Sequence, residues 1–198
     1  MNVQDIKIAI IDYGAGNIQS NLFALERLGV KALVTKDIAA IQAADKVIFP
    51  GVGEASSAMQ KLRETGLDTV IPTLQQPVLG ICLGMQIMCK HSEEGNAMGL
   101  GIFDAEVKRF PNTEKVPQMG WNTIYNLKTP LFEGIAENEY MYLVHSFYVA
   151  ATEDAIALTD YGLTYATALH KNNFYGVQFH PEKSGNMGER IIKNFLML

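Results

Sequence analysis

Cys82 sits in the stretch Gly80-Ile81-Cys82-Leu83-Gly84, where an apolar run gives way to a segment with helical spacing. A cysteine there reads in two ways: a small buried thiol at a tight turn, or a sulfur that the turn exists to present. The glycines at fixed offsets favour the second. A G-x-C-x-G corner between strand and helix holds a nucleophile at the edge of a sheet, and small flanking residues keep the corner free of clashes. The free N–H groups and positive end of the following helix favour a thiolate. Such a sulfur needs an imidazole to manage its proton and a third group to orient that imidazole.

The chain has four histidines, and His91 and His180 are each followed two positions on by glutamate, as His91-Ser92-Glu93 and His180-Pro181-Glu182. If the helix after Cys82 runs on through residue 91, His91 lies about 13 Å along its axis from the sulfur, too far to share a proton. His180 follows the strand-like Phe174–Phe179, and in an α/β sheet ligand chemistry collects at the carboxyl ends of strands. Pro181 stiffens the link between His180 and Glu182. His145 closes the strand-like Tyr140–Val144 and is placed to line the same pocket. His170 reads as a surface or packing residue, and Cys89 as core.

Two further glycine turns follow apolar strands. Gly51-Val52-Gly53 is either a sharp turn or a loop whose backbone N–H groups face an anion or a developing oxyanion. Asp12–Asn17, with Gly14 and Gly16, begins like a dinucleotide fingerprint, and Asp37 lies at a tolerable distance for a ribose-binding acid. Gln19 occupies the place of the third glycine, so a tight strand-to-helix turn is the favoured reading.

The positioning elements can be read from periodicity. Strands are expected at Ile6–Asp12, Val30–Thr35, Lys46–Pro50 and Pro77–Ile81. Between them lie helical patterns, the first over Asn17–Leu28 with Ile18, Leu22, Leu25 and Leu28 on one face. Short continuous apolar strands alternating with helices predict an α/β fold, a parallel sheet covered on both faces. Beyond about residue 100 strand-like segments follow at Ala105–Phe110, Tyr140–Val144, Ser146–Thr152, Ala155–Asp160, Tyr165–His170 and Phe174–Phe179. A closing helix over Gly188–Leu198 places Ile191, Phe195 and Leu198 together, with Ile192 and Leu196 beside them. One domain over residues 1–198 with an antiparallel extension is expected. A net charge of −5 with no basic stripe argues against double-stranded nucleic acid as partner. The opening Met1–Asp12 fits neither a signal peptide nor a membrane span, and two cysteines make no disulfide framework. A cytoplasmic protein without membrane attachment is expected.

The stretches Gly80–Gln86, Pro50–Gly53 and Gly176–Glu182 together resemble the triad-type (class I) glutamine amidotransferases, and the likeness runs across nearly the whole chain. Asp12–Asn17, Pro117–Asn122, Val144–Tyr148 and Phe174–Gly185 resemble a narrower group, the glutaminase subunits of imidazole glycerol phosphate synthases. The resemblance implies a flavodoxin-like open sheet, with Cys82 as nucleophile, His180 as acid–base and Glu182 as its orienting group. It further implies an oxyanion hole from the N–H groups of Val52 and Leu83 in the Gly51–Gly53 and elbow turns. Gln86 and His145-Ser146-Phe147 would hold the amino-acid end of L-glutamine. No metal or cofactor is implied. The partner implied is a separate (β/α)8-barrel cyclase that consumes the ammonia, and Asn17, Met119, Trp121, Tyr142 and Lys183 are the candidate docking residues. Trp121 has a competing reading as core. A glutaminase serving another synthase, a cysteine-elbow peptidase and a non-enzymatic metabolite-binding domain are the rival readings. The 98 positions between Cys82 and His180 argue against the peptidase.

Overall fold

A computed structural model describes residues 6–198. The reading of the first residues as lacking a leader falls partly on 1–5, which lie outside the described residues. In chain order the first half comprises β1 (Ile8–Ile11), α1 (Ile18–Arg27), β2 (Ala32–Thr35), α2 (Ile38–Gln42), β3 (Lys46–Gly51), α3 (Ala55–Thr65), α4 (Leu67–Val70), β4 (Val78–Cys82), α5 (Leu83–Met88), β5 (Cys89–Ser92) and β6 (Ala97–Met98). The second half comprises β7 (Phe103–Arg109), β8 (Gln118–Ile124), β9 (Glu139–His145), β10 (Phe147–Val149), β11 (Ala155–Asp160), β12 (Thr164–Lys171), β13 (Phe174–Val177) and α6 (Gly185–Met197).

One sheet runs β2-β1-β3-β4-β13-β12-β10-β7-β5-β6, with β11 paired to β12 off that path. The strands from β2 to β13 in this order are parallel. β13 and β12 are antiparallel, as are β12 with β10 and β10 with β7. Strands β1, β3, β4 and β13 are buried along their whole length, which is why they read as unbroken apolar runs rather than alternating ones. Each face of the sheet carries its own core. Ile41, Met59 and Leu62 pack on one side with Val47, Phe49 and Val78; Leu25, Ile191 and Phe195 pack on the other with Ile10, Ile48 and Leu79. The open, mostly parallel sheet with an antiparallel continuation is thus as expected, and so is the buried stripe of α6, where Ile191, Ile192, Phe195 and Leu196 are all buried.

Four expectations need correction. The helix after Cys82 is only six residues long, and the chain from Cys89 continues as a strand parallel to β7. His91 therefore lies on β5, not on a helix. It pairs across to Met98, and its Nε2 lies 2.9 Å from Asn96 Oδ1. Local spacing favoured a longer helix, but pairing of Cys89 with Phe103 supplies strand hydrogen bonds that local propensity does not foresee. β13 ends at Val177, so His180 lies three residues beyond a strand rather than at its end. Finally β5, β6 and β8 went unanticipated. β8 forms a separate two-stranded sheet with β9, with Trp121 opposite Tyr142.

The Asp12–Asn17 turn is closed by its own contacts. Asp12 Oδ1 accepts from Gly14 N–H at 3.1 Å, and Lys61 Nζ donates to the Gly14 carbonyl at 2.7 Å. Asp37 caps α2 by accepting from Ala40 N–H at 2.8 Å. Both are structural uses, in keeping with the tight-turn reading. Among the described residues no helix is long and apolar enough to cross a membrane.

Candidate active site

β4 ends on Cys82, and the chain turns there directly into α5. Cys82 takes φ 55° and ψ −112°, a conformation rare for a residue with a side chain; such strain costs about 1–3 kcal/mol and survives only where the surroundings impose it. Packing of α5 imposes it here. A Cβ on Gly84 would collide with the Phe49 carbonyl oxygen, and one on Gly80 would collide with the Met88 side chain. Each glycine of the motif thus marks a place where α5 lies against the sheet too closely for any other residue.

Register then gathers the other groups. Pairing of β3 with β4 puts Gly51 opposite Cys82, so the Gly51–Gly53 turn leaves the sheet beside the sulfur. Pairing of β4 with β13 puts Val177 opposite Ile81, and the chain leaving β13 passes Cys82 as Gln178, Phe179 and His180. His180 Nδ1 donates to Glu182 Oε1 at 2.7 Å, with their side chains 2% and 0% exposed. Its Nε2 is buried without a hydrogen-bond partner of ordinary geometry, and Cys82 is the group it faces. Burial alone would lower this imidazole, but Cys82 and Glu182 outweigh burial and push it up to about 10. The arrangement therefore keeps the His180 imidazole protonated near neutral pH.

These groups open on a cavity of about 290 Å³, the small end of ligand pockets and suited to an amino-acid-sized molecule. Its walls include Val52, Gly53, Leu83, Gln86, His145, Ser146 and Phe147, together with Cys82 and His180. Of the residues expected around the substrate, only Gly51 stands back from the wall, buried within β3. His145 is placed there, but both its ring nitrogens are engaged. Nδ1 donates to the Phe147 carbonyl at 2.7 Å, and Nε2 lies 3.3 Å from the Tyr165 hydroxyl, itself 2.9 Å from Gln118 Oε1. Burial lowers the His145 imidazole to about 4; the Phe147 bond opposes this and nearby His180 adds to it. Gln86 spends both amide hydrogens within the protein, on the Phe147 carbonyl and on Gln178 Oε1, so only its oxygen is left to offer.

Sequence reasoning missed Glu94, Pro117 and Val144 on the wall and the fully buried Gln178 behind it. Glu94 stands three positions after His91, in a stretch set aside together with that histidine. Its Oε2 accepts from Ala55 N–H at 2.9 Å at the start of α3. Burial raises its carboxyl; the Ala55 bond opposes the rise and Glu54 adds to it. Gln178 was legible only as part of a motif whose histidine and glutamate drew the reading. Cys89 is fully buried, and burial, with Asp154, pushes its thiol well above the ordinary range.

Of the candidate docking residues, Met119 and Trp121 on β8 are 66% and 55% exposed, so the core reading of Trp121 does not hold. The Trp121 and Tyr142 rings meet edge-on at 6.0 Å. Tyr142 bridges this surface to the site through its backbone: its carbonyl accepts from His180 N–H at 2.9 Å, and its N–H donates to Ser184 Oγ at 2.9 Å. Lys183 is exposed next to this turn, and Asn17 is half-buried ahead of α1.

Residues 9–198 match the family described as Glutamine amidotransferase class-I. The chain is 60% identical over 196 residues to the protein named imidazole glycerol phosphate synthase subunit HisH of Bacteroides fragilis, covering 98% of this chain and 100% of that one. It is 48% identical to the protein of the same name from Haemophilus influenzae, over 96% of this chain and 97% of that one. A crystal structure described as a glutamine amidotransferase superposes with a TM-score of 0.75 at 18% identity, covering 96% of this chain and 97% of that chain, a likeness of fold. A strained cysteine corner, a buried histidine–glutamate pair and a family match over nearly the whole chain agree: this protein belongs to the class-I glutamine amidotransferases.

Proposed function

We propose that this chain is the glutaminase subunit of an imidazole glycerol phosphate synthase, one domain over its length, working in the cytoplasm. It hydrolyses L-glutamine and hands ammonia to a separate (β/α)8-barrel cyclase, which makes imidazole glycerol phosphate and an aminoimidazole carboxamide ribonucleotide. The observation that carries the glutaminase half is the juxtaposition of Cys82, at the end of β4, with His180 and Glu182, just beyond β13, beside the Gly51–Gly53 turn.

In this reading the Cys82 sulfur attacks the side-chain carboxamide carbon of glutamine. The carbonyl oxygen becomes an oxyanion held by the N–H groups of Leu83 and Val52, each worth roughly 3 kcal/mol in comparable sites. The imidazolium of His180 gives its proton to the departing nitrogen, releasing ammonia and leaving a glutamyl thioester. Water then adds to the thioester while His180 takes a proton from it, and glutamate leaves with the sulfur restored. Glu182 keeps the imidazole in register and offsets its charge. Glu94, a carboxylate on the cavity wall, is suited to the substrate's α-ammonium, with Ser146 and Phe147 alongside.

Ammonia released into water is protonated and diluted, so the reaction serves a synthase only when the acceptor is docked. The exposed Met119–Trp121 stretch with Tyr142, Lys183 and Asn17 is the docking face in this reading, because Tyr142 bonds directly to the backbone of His180. The test is glutamate production with and without the cyclase. Cys82→Ala should abolish turnover while glutamine still binds, and full turnover in that variant sinks the assignment. Co-purification with a synthase other than the cyclase would overturn the pathway while leaving the glutaminase intact.

A further inference from the structure

Two glutamine side chains stand in series between the Phe147 carbonyl and the Cys82 sulfur. The two ends of a glutamine amide are alike in shape, so its orientation must be read from its neighbours. Here the chain of neighbours starts at a group of fixed polarity. The Phe147 carbonyl can only accept, and it takes a hydrogen bond from Gln86 Nε2 at 2.9 Å. The second Gln86 N–H donates to Gln178 Oε1 at 2.8 Å. The NH2 end of Gln178 is thereby turned the other way, and it lies 3.7 Å from Cys82 Sγ. Gln178 is wholly buried, and its backbone N–H is tied to the Thr167 carbonyl at 2.8 Å. Its amide is held by this network rather than by solvent.

The polarity matters because an N–H beside sulfur favours the anion over the thiol. Among the described residues, the acceptor besides His180 within reach of an S–H proton is the Val144 carbonyl at 3.9 Å, a long contact for a weak donor. We propose that Gln178 is a further catalytic residue: its side-chain N–H holds the Cys82 sulfur as an anion once the thiol proton has passed to His180 Nε2, and Gln86 and the Phe147 carbonyl position that amide. The proposal deepens the glutaminase reading and rests on it for the nucleophile. It also gives Gln86 a second duty, as the key that sets the direction of Gln178.

The titratable groups around the sulfur come from several elements. His180, with Glu182 behind it, follows β13; Tyr13 follows β1; His145 ends β9; and Glu94 follows β5. Burial raises the Tyr13 hydroxyl and lowers the His145 imidazole, so both stay neutral near pH 7. A change in sulfur reactivity there reads the amide and its His180 partner.

The experiment is alkylation of the full chain with iodoacetamide across neutral and alkaline pH, with modification at Cys82 followed by peptide mass spectrometry. Gln178→Met keeps the bulk and removes the donor. It should slow alkylation near neutral pH about tenfold, with the deficit closing as pH rises, because the lost bond is one to a charged group. kcat for glutamine should fall in parallel while KM stays within about twofold. Gln86→Met, which frees the Gln178 amide to turn, should shift alkylation in the same direction by less. An unchanged alkylation profile in folded Gln178→Met overturns the proposal. If circular dichroism shows that variant unfolded, an unchanged profile in Gln86→Met overturns it instead. A wild-type chain that never turns over glutamine, yet shows the alkylation shift, would sink the glutaminase reading and leave the role of Gln178 standing.

Discussion

Two imidazoles border one cavity in opposite protonation states: burial decides one, and Cys82 and Glu182 outweigh burial at the other. His180 meets Glu182 on one side and Cys82 on the other, and is held up to about 10. Burial holds the His145 imidazole down to about 4, with nearby His180 adding to the shift and the bond to the Phe147 carbonyl opposing it. The two couple to stability with opposite signs. Below about 6.5, the ordinary histidine value, His180 is protonated in both folded and unfolded chains, so its contribution is fully present there and is lost only as pH rises towards 10. Between about 6.5 and 4 the unfolded chain takes a proton at His145 that the folded chain refuses, so stability falls with falling pH by at most about 1.4 kcal/mol per unit. Urea unfolding at pH 6.5 and at pH 5 should show a loss of up to about 2 kcal/mol from this residue, and a smaller total loss in His145→Gln. Equal losses in the two proteins would remove His145 as the cause. None of this was legible in the sequence. A histidine closing a strand beside the site was visible; the Phe147 carbonyl and the Tyr165 hydroxyl that occupy its nitrogens come from folding.

At the scale of elements, the site depends on how closely α5 lies on β3. Gly51 and Gly84 were both visible in the sequence as turn glycines, but only the parallel register of β3 with β4 explains why the second tolerates no side chain. Gly84→Ala must push α5 off the Phe49 carbonyl or distort β3, and overpacking of this kind costs about 1–3 kcal/mol or more. The expected outcome is a loss of that size in urea unfolding, with glutaminase falling by more than the unfolded fraction accounts for, because the Leu83 N–H moves with α5. Wild-type stability and activity in Gly84→Ala would contradict the packing account. The fully buried parallel strands were legible because burial on both faces leaves only apolar residues. β8 was not, since only Gln118 and Ile124 of its seven residues are buried and no alternation marks it; its pairing with β9 is what makes it a strand. The short α5 was missed for a related reason: Cys89–Ser92 carries no strand signal of its own and becomes β5 only against β7.

At the scale of the whole molecule, the exposed β8–β9 hairpin and the buried triad are one connected piece. Trp121 and Tyr142 share the hairpin, and Tyr142 bonds through its main chain to His180 and to the Ser184 hydroxyl, which in turn donates to the His180 carbonyl at 2.7 Å. A partner that seats on Met119 and Trp121 would therefore press on the segment that carries His180, the proposed acid–base. Large exposed aromatics at the centre of an interface commonly carry about 2 kcal/mol or more of binding when truncated, whereas a surface truncation away from the core stays within about 0.5 kcal/mol of native stability. Trp121→Ala should accordingly leave urea unfolding near wild type and weaken binding to the proposed barrel cyclase by about thirtyfold, as read by calorimetric titration. Glutaminase measured at saturating cyclase should recover most of its wild-type rate, since the variant lowers occupancy and leaves Cys82, Gln178 and His180 in place. Undiminished affinity would move the docking face elsewhere on the molecule. A rate that stays low at saturation would instead make Trp121 part of the path by which docking reaches His180.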